Sequence, residues 1–420
     1  MHSKIHAIAL DPSKCVGCTN CLKRCPTEAI RIKAGHSKIV KERCINCGQC
    51  IQACPRRARY GLTDNLQSIT EFKYKIALVD PVLYGQFHDI YQPSQILSAI
   101  LAQGFDDFFE ISRGADLITE FTQDYIAKNP EFPIISSSCP TIVRLIQLRF
   151  PSLINHILPI DSPVEISAHL ARKKAMEQLG LTEEEVGVFF ISPCPARIFS
   201  FQKPVGIKKS RISGTFSIKS IFLDISKSIS KSTPEHENFY PSYKGIGWAK
   251  SGGQSKALGI KDFLSVDGIQ NVISVLEEIE YHKINDVAYI ECHACTNGCL
   301  GGSLNIENSF VARNRIRKLV DEYQHTQINV PPFNPNEYIL TEPLQPLQVT
   351  RLDDDIAVAI AKMEHLEKVL KTLPNIDCGA CGSPSCRALA EDIVQGYGEL
   401  GDCIVMQNRL KISEKTEDVD

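Results

Sequence analysis

Residues 286–302 read Asp286-Val-Ala-Tyr-Ile-Glu-Cys-His-Ala-Cys-Thr-Asn-Gly-Cys-Leu-Gly-Gly302. The first five residues are an apolar run of strand length. The next twelve hold three cysteines (Cys292, Cys295, Cys299) and three glycines (Gly298, Gly301, Gly302). The same order recurs upstream. Residues 132–135 lead into Ser136-Ser137-Ser138-Cys139-Pro140, and residues 186–191 lead into Ser192-Pro193-Cys194-Pro195. Residues 75–80 form a further run of this kind. Short apolar runs followed by a loop and a helical pattern read as buried parallel strands. Residues 75–325 are therefore expected to be α/β. Three cysteine segments then sit just past strand ends, the edge of an open α/β sheet where ligands bind. The distant cysteines are expected to converge on one site, with the glycines leaving room for backbone close to a cluster.

The chain has 420 residues, 43% of them hydrophobic, and a net charge of -3. That length fits two or three domains. The charge argues against nucleic acid or an anionic membrane as main partner. Residues 1–11 hold no long apolar run, and no stretch reaches the length of a membrane helix. A cytoplasmic protein is expected. Seventeen cysteines in such a chain suggest metal sites or catalysis rather than disulfides.

Cys15, Cys18, Cys21 and Cys25 are spaced C-x2-C-x2-C-x3-C before Pro26. Cys44, Cys47, Cys50 and Cys54 repeat the spacing before Pro55. In such runs three close thiolates take three corners of a cubane and the fourth crosses to the other cluster. Cys15, Cys18, Cys21 and Cys54 are expected on one 4Fe–4S cluster, and Cys44, Cys47, Cys50 and Cys25 on the other. Zinc or free thiols are the alternative. The region resembles bacterial two-cluster ferredoxins, an α+β fold, and residues 1–62 are taken as this domain, with the clusters as its staple.

Prolines 331, 332, 335, 343 and 346 mark residues 326–350 as a linker. Ile356, Ile360, Met363, Leu366 and Leu370 recur at helical spacing, predicting an amphipathic packing helix. Cys378, Cys381, Cys386 and Cys403 follow among glycines. That pattern resembles the small iron–sulfur domain of Rnf complex B subunits and corrinoid iron–sulfur proteins. It implies a third 4Fe–4S cluster on those four residues, with zinc as alternative, in a small helical domain at 351–412.

The middle segments resemble the catalytic domain of FeFe-hydrogenases. The family's three motifs stand here as residues 136–140, 192–197 and 293–299. The resemblance implies that Cys139, Cys194, Cys295 and Cys299 hold an H-cluster: a 4Fe–4S cubane joined, through Cys299, to a di-iron centre with carbon monoxide, cyanide and dithiolate ligands. It also implies parallel sheets flanked by helices, and a two-cluster ferredoxin domain upstream.

Departures from the family bear on activity. Ser138 stands where the family has a proton-passing cysteine. A thiol titrates near neutral pH, whereas a hydroxyl is a far poorer acid, so slowed proton transfer is expected. Arg197 replaces a lysine that hydrogen-bonds a cyanide, turning a point charge into a planar fork. Ser192 and His293 replace two methionines beside the di-iron unit, with Pro193 between Ser192 and Cys194. Val82 stands where a serine commonly touches the other cyanide, and Ser200 replaces a glutamate. Such positions tune metal sites. On the helix near 115–125, Glu120 and Asp124 are acidic, but the family's register places Thr122 and Tyr125 at its proton-path positions. His293 is either a buried, hydrogen-bonded imidazole, the favoured reading, or a proton group. Cys292 reads as a small buried side chain, with a relay thiol or extra ligand as alternative. Lys208-Lys209-Ser210-Arg211 reads as a solvated loop, or a dock for an acidic carrier.

The reading reached is an FeFe-hydrogenase-like iron–sulfur protein of the family's sensory branch. It binds or slowly converts H2 and passes electrons or a signal through its accessory clusters. The implied partners are H2 and protons, ferredoxin or another electron carrier, a signalling protein and the di-iron maturation enzymes. Two alternatives stand beside it: a working ferredoxin-linked hydrogenase, and a cubane-only protein of electron transfer or iron–sulfur assembly.

Overall fold

The runs at 75–80 and 186–191 become the central strands of a four-stranded sheet, because every second residue finds a different helical layer. Ala77, Val79, Phe189 and Ile191 pack with the helices Pro93–Leu101 and Ile218–Ile229. Ile76, Leu78, Val188 and Phe190 pack instead with Val164, Ala168 and Ala171 of the helix Pro163–Leu179. Strands buried on both faces lose the polar alternation and read as continuous apolar runs. The sheet order is Asp107–Glu110, Tyr74–Val79, Val186–Ser192, Gly214–Ser217, all parallel. A second parallel sheet orders Phe263–Asp267, Tyr289–His293 and Ile134–Ile135.

This computed structural model describes residues 6–129, 133–230, 242–325, 334, 337–347 and 352–408. The chain divides into two compact units. The larger takes Met1–Ile8, Asn46–Gly48 and Gly61–Pro346; the smaller takes Ala9–Ile45, Gln49–Tyr60 and Leu347–Asp420. The α/β architecture with parallel sheets and flanking helices is that of the larger unit.

The predicted strands appear with shifted ends. Phe132 lies outside the described residues. The run expected at 286–290 is the strand Tyr289–His293, so Glu291, Cys292 and His293 lie on the ladder rather than in the loop. They can do so because Glu291, although 0% exposed, accepts hydrogen bonds from the Gly252 and Ser255 amides at 2.9 Å each. A buried carboxylate with such donors needs no solvent.

Much of the expected linker at 326–350 lies outside the described residues. Its described part is not free: Tyr338 is 4% exposed, the Asp161 amide donates to the Tyr338 carbonyl at 2.8 Å, and the Leu340 amide donates to the Pro159 carbonyl at 3.2 Å. Tyr338 packs with Leu158 and Ile160 in the core. The run at 208–211 also differs from a solvated loop. Lys208 is 84% exposed, but Arg211 pairs with the buried Asp161, and Ser210 donates to Glu165. Two buried carboxylates require those inward donors.

The 29-residue repeat of the N-terminal cysteine runs extends to the backbone. Short helices span Asn20–Lys23 and Gln49–Gln52. Left-handed residues pair as Gly17 with Asn46, Thr19 with Gly48, and Glu28 with Arg57. The predicted C-terminal helix forms at Ile356–Thr372, but its stripe is only half used. Leu366 is 1% exposed, whereas Ile356 is 75% and Ile360 57% exposed. Only the second half of the helix reaches the apolar cluster of Cys386, Leu389 and Cys403, so it is a packing helix over that half alone.

Candidate metal centre

Each strand-end segment of the larger unit delivers its cysteine in a fixed way. Cys139 and Cys194 are the residues just before the helices Pro140–Arg149 and Pro195–Gln202, with proline in the first helical position. Proline is pre-shaped for that position, and the positive end of a helix favours a thiolate. The Cys295–Cys299 segment leaves the strand Tyr289–His293 and coils back at Asn297 and Gly298, both with positive φ. A Cβ on Gly302 would lie 2.4 Å from the Pro193 carbonyl oxygen, and one on Gly298 would lie 2.7 Å from the Ser251 amide. These glycines therefore serve close backbone packing of neighbouring loops rather than space beside a cluster.

The four cysteines come together. Cys194 is influenced by Cys299 and Cys139, and Cys295 by Cys194, Cys139 and Cys299. Burial pushes the Cys194 thiol up to about 12, so a stable thiolate there needs a cation. A set of four soft sulfur donors fits iron–sulfur chemistry. Among the described residues, no three Cys, His, Asp or Glu side chains close on a single-ion point. A cubane spreads its ligands over four irons, so single-ion spacing is not required of it.

Beside Cys299 opens a pocket. Its wall includes Ser138, Arg197, Gln254, His293 and Trp248. Arg197 spans it: one arm of the guanidinium donates to Cys299 Sγ at 3.3 Å and the other to Asp80. Asp80 is held in turn by the Val82 amide at 2.9 Å. Burial opposes the charge of Arg197, yet Cys299 and Asp80 outweigh it and raise its basicity. Ser138 accepts from Gln254 Nε2 at 2.8 Å and lies 3.0 Å from Ser136 Oγ. Gln254 Oε1 takes the hydroxyl protons of Ser136 and Tyr289 at 2.7 and 3.0 Å. His293 is 2% exposed. It meets Glu291 at 2.9 Å, and Cys299 is close enough to act on its charge. Burial alone would lower the imidazole, but these two partners raise it. Burial likewise pushes Glu291 up, and His293 and the Ser255 amide reverse that to hold it low. His293 is thus both a satisfied buried histidine and a wall of the cavity.

Other residues singled out in the sequence fall elsewhere. Pro193 accepts from the Leu304 amide at 3.0 Å, and Ser192 bonds the backbone of Cys194; both shape the Cys194 turn. Val82 packs in the apolar core. Ser200 accepts from Arg144 at 3.1 Å and borders a larger, mostly apolar chamber of about 700 Å³ that also touches Ser138 and Arg197. Cys292 is 0% exposed, and burial pushes its thiol up, which disfavours a relay. Thr122 donates to its own helix at the Ile118 carbonyl, 2.6 Å away.

Sequence reasoning missed Asp80 and Gln254 as site residues, and also the acids Glu110 and Asp116. Glu110 accepts from Tyr84 at 2.7 Å and Asp116 from Ser242 at 2.6 Å. Burial raises both to about 7. Glu110 Oε2, Ser112 Oγ and Asp116 Oδ2 have no partner, and Ser112 lines the cavity. The available signal was an acid ending an apolar strand and another on the buried stripe of the next helix.

In the smaller unit, Cys15, Cys18, Cys21 and Cys54 line a cavity of about 350 Å³. The Ala29 and Ala58 amides donate to Cys25 and Cys54 Sγ at 3.2 Å each, again 29 residues apart. Burial and then Cys44 push the Cys50 thiol up to about 12, and Cys25 is also close. At the C-terminal end, Cys381 feels Cys403 and Cys378 and shares an apolar cluster with Cys386. The residues present fit three iron–sulfur sites in the terminal segments and one further centre at Cys139, Cys194, Cys295 and Cys299.

The comparisons with known proteins agree with this division. Residues 73–213 match the family model of the iron only hydrogenase large subunit, C-terminal domain. The middle of the chain is an FeFe-hydrogenase-related domain. Iron–sulfur binding segments flank it: residues 7–55 match a 4Fe-4S dicluster domain and residues 373–405 a putative Fe-S cluster domain. Iron hydrogenase 1 of Clostridium pasteurianum is 30% identical over 115 residues, 26% of this chain and 20% of that protein. The periplasmic Fe hydrogenase large subunit of Nitratidesulfovibrio vulgaris is 28% identical over 221 residues, 48% of this chain and 52% of that protein. The chain thus spans about half, or less, of these relatives' lengths. A structure of a variant of the FeFe-hydrogenase HydA1 from Chlamydomonas reinhardtii superposes with a TM-score of 0.51 at 13% identity, covering 67% of this chain and 99% of that one. That likeness concerns the fold. Among the described residues, no helix is long and apolar enough to cross a membrane.

Proposed function

We propose that the larger unit is an H-cluster domain of the sensory hydrogenase type, which binds or slowly converts H2 and reports through its accessory clusters. The observation that carries this reading is the convergence of Cys299, Ser138, Arg197 and His293 on one pocket. When bound, the di-iron group would supply the site where H2 is split into, or formed from, protons and electrons. Cys139, Cys194, Cys295 and Cys299 would hold the cubane beside it. Arg197 would present its fork to anionic ligands in the cavity, oriented by Asp80, and His293, held by Glu291, would stand beside Cys299. The residues also support low turnover. Ser138 is engaged by Gln254 and Ser136, and it replaces an acid suited to neutral pH by a hydroxyl. Thr122 spends its hydroxyl on its own helix.

The domain reading is retained: a dicluster domain at 1–62, the H-cluster domain at 75–325, the stretch 326–350, and an Rnf-B-like cluster domain within 351–412. The protein would work in the cytoplasm with an electron carrier such as ferredoxin, a signalling protein and the di-iron maturation enzymes. The deciding experiment is an infrared spectrum after reconstitution with the di-iron cofactor, under H2 and then inert gas. Carbon monoxide and cyanide bands that move with H2, with slow turnover, are expected. Rapid turnover would favour a working hydrogenase. Intact cubane absorption without such bands would overturn both hydrogen readings and leave electron transfer or iron–sulfur assembly.

A further inference from the structure

We propose that the C-terminal segment is a resident redox partner of the dicluster module: its cluster on Cys378, Cys381, Cys386 and Cys403 is clamped by Arg31–Asp392 and Arg43–Glu391 onto the wall of the Cys15–Cys18–Cys21–Cys54 cavity and exchanges single electrons with the cluster there. This rests on reading both cysteine sets as 4Fe–4S sites, and not on any reaction of hydrogen.

The two segments are electrostatic complements within one unit. Residues 9–60 carry eleven Lys and Arg against three Asp and Glu; residues 352–408 carry ten Asp and Glu against four Lys and Arg. Opposed charges of this kind select a partner and a register. The centre of the contact is a fork. Arg31 Nε meets Asp392 Oδ2 at 2.5 Å and Nη2 meets Oδ1 at 3.1 Å, with side chains only 7% and 12% exposed. The third nitrogen donates to the Glu28 carbonyl at 2.8 Å, and Ser383 donates to Asp392 at 3.1 Å. A nearly buried pair with its remaining hydrogen-bonding sites satisfied fixes geometry, and losing one partner strands the other charge. Arg43 with Glu391 makes a second pair, and Lys33 with Asp402 a third at 3.3 Å.

The clamp brings cluster loops together. Ile32 lines the Cys15 cavity, and its amide donates to the Gly382 carbonyl at 2.8 Å. Gly382 adjoins Cys381. A Cβ on Gly382 would stand 2.2 Å from the Ile32 carbonyl oxygen, and φ there is +85°; only glycine permits this approach. Leu22, next to Cys21, lies 3.4 Å from where a Cβ on Gly379 would be, and Gly379 adjoins Cys378. The loops that carry the two cysteine sets thus touch at Ile32–Gly382 and at Leu22–Gly379. Cys378 itself is exposed, giving the C-terminal cluster an edge toward outside carriers. In the step itself one cluster is oxidised by one electron and the other reduced by one. No bond breaks and no proton moves.

The test uses the full chain, purified anaerobically, with iron and sulfide counted and the clusters reduced by dithionite. Electron paramagnetic resonance of the wild type is compared with Cys378→Ala, which lacks the third cluster. The dicluster signal is expected to be broadened and to relax faster in the wild type than in Cys378→Ala. The double variant Glu391→Lys, Asp392→Lys is expected to keep its iron yet lose that interaction, giving the sum of two separate spectra. Should the double variant lose iron, the wild-type comparison still decides. A third cluster present with no effect on the dicluster signal would overturn the docking proposal alone. A wild-type chain that never carries the third cluster would overturn the cluster reading and the proposal with it.

Discussion

Replacing Glu110 by glutamine should stabilise the larger unit at alkaline pH and leave it almost unchanged in acid. Glu110 is 3% exposed. Burial is the main cause that lifts its carboxyl from 4.5 to about 7; Asp116 adds to the rise, while Tyr84 and Arg113 oppose it. An acid whose folded value lies above its unfolded value binds its proton more tightly in the fold. Its ionisation therefore weakens the fold, and the sign is opposite to that of an ordinary paired carboxylate. The penalty is absent below about 4.5, grows as pH rises through 4.5 to 7, and is complete above about 7. At about 1.4 kcal/mol for each tenfold change in acidity, the full penalty has an upper bound of about 3 kcal/mol. Glutamine keeps the shape and can still accept from Tyr84, but it cannot ionise. The single tryptophan, Trp248, is 7% exposed in this unit, so its fluorescence during urea unfolding reports on the right unit. The midpoints of wild type and Glu110→Gln should nearly coincide near pH 4 and separate toward pH 8, with the variant more stable. Midpoints that run parallel across that range, or separate toward acid, would refute the reasoning.

Asp80→Asn leaves the Arg197 guanidinium, with a side chain 12% exposed, without its carboxylate. In the metal-free chain this should cost about 3–5 kcal/mol by the same fluorescence assay. Cys54→Ser should empty the site of Cys15, Cys18 and Cys21 rather than that of its own motif. Alkylation followed by mass spectrometry would show Cys15, Cys18 and Cys21 newly reactive and Cys44, Cys47 and Cys50 still protected; the reverse pattern would remove the crossed assignment. Ser138→Cys restores an acid suited to neutral pH beside Gln254. Under the proposed function it should raise hydrogen turnover by about 100-fold without moving the carbon monoxide and cyanide bands, whereas unchanged turnover would show that Ser138 does not limit proton delivery.

What could be read from the sequence alone was whatever depends on neighbours in the chain. Three close thiolates define most of a cubane site, so the twelve cysteines at the two ends announced themselves by spacing. The central strands were visible because a strand buried on both faces, as Ile76 to Val79 are, has to be apolar throughout. Only the tertiary structure decided which charges meet. Arg197 stood out in sequence but its partner did not: Asp80, 117 positions away, pairs with it because two parallel strands end side by side. Gln254 reaches Ser138 across 116 positions because the second sheet brings a separate helix under the Cys139 loop. The strand that holds Glu291 runs further than its apolar residues suggested, since amides from Gly252 and Ser255 satisfy a carboxylate that local chemistry would place in solvent. Arg31 and Asp392, 361 positions apart, follow the same rule. Burying a charge is favourable only against a partner, and the fold, rather than the order of residues along the chain, supplies that partner.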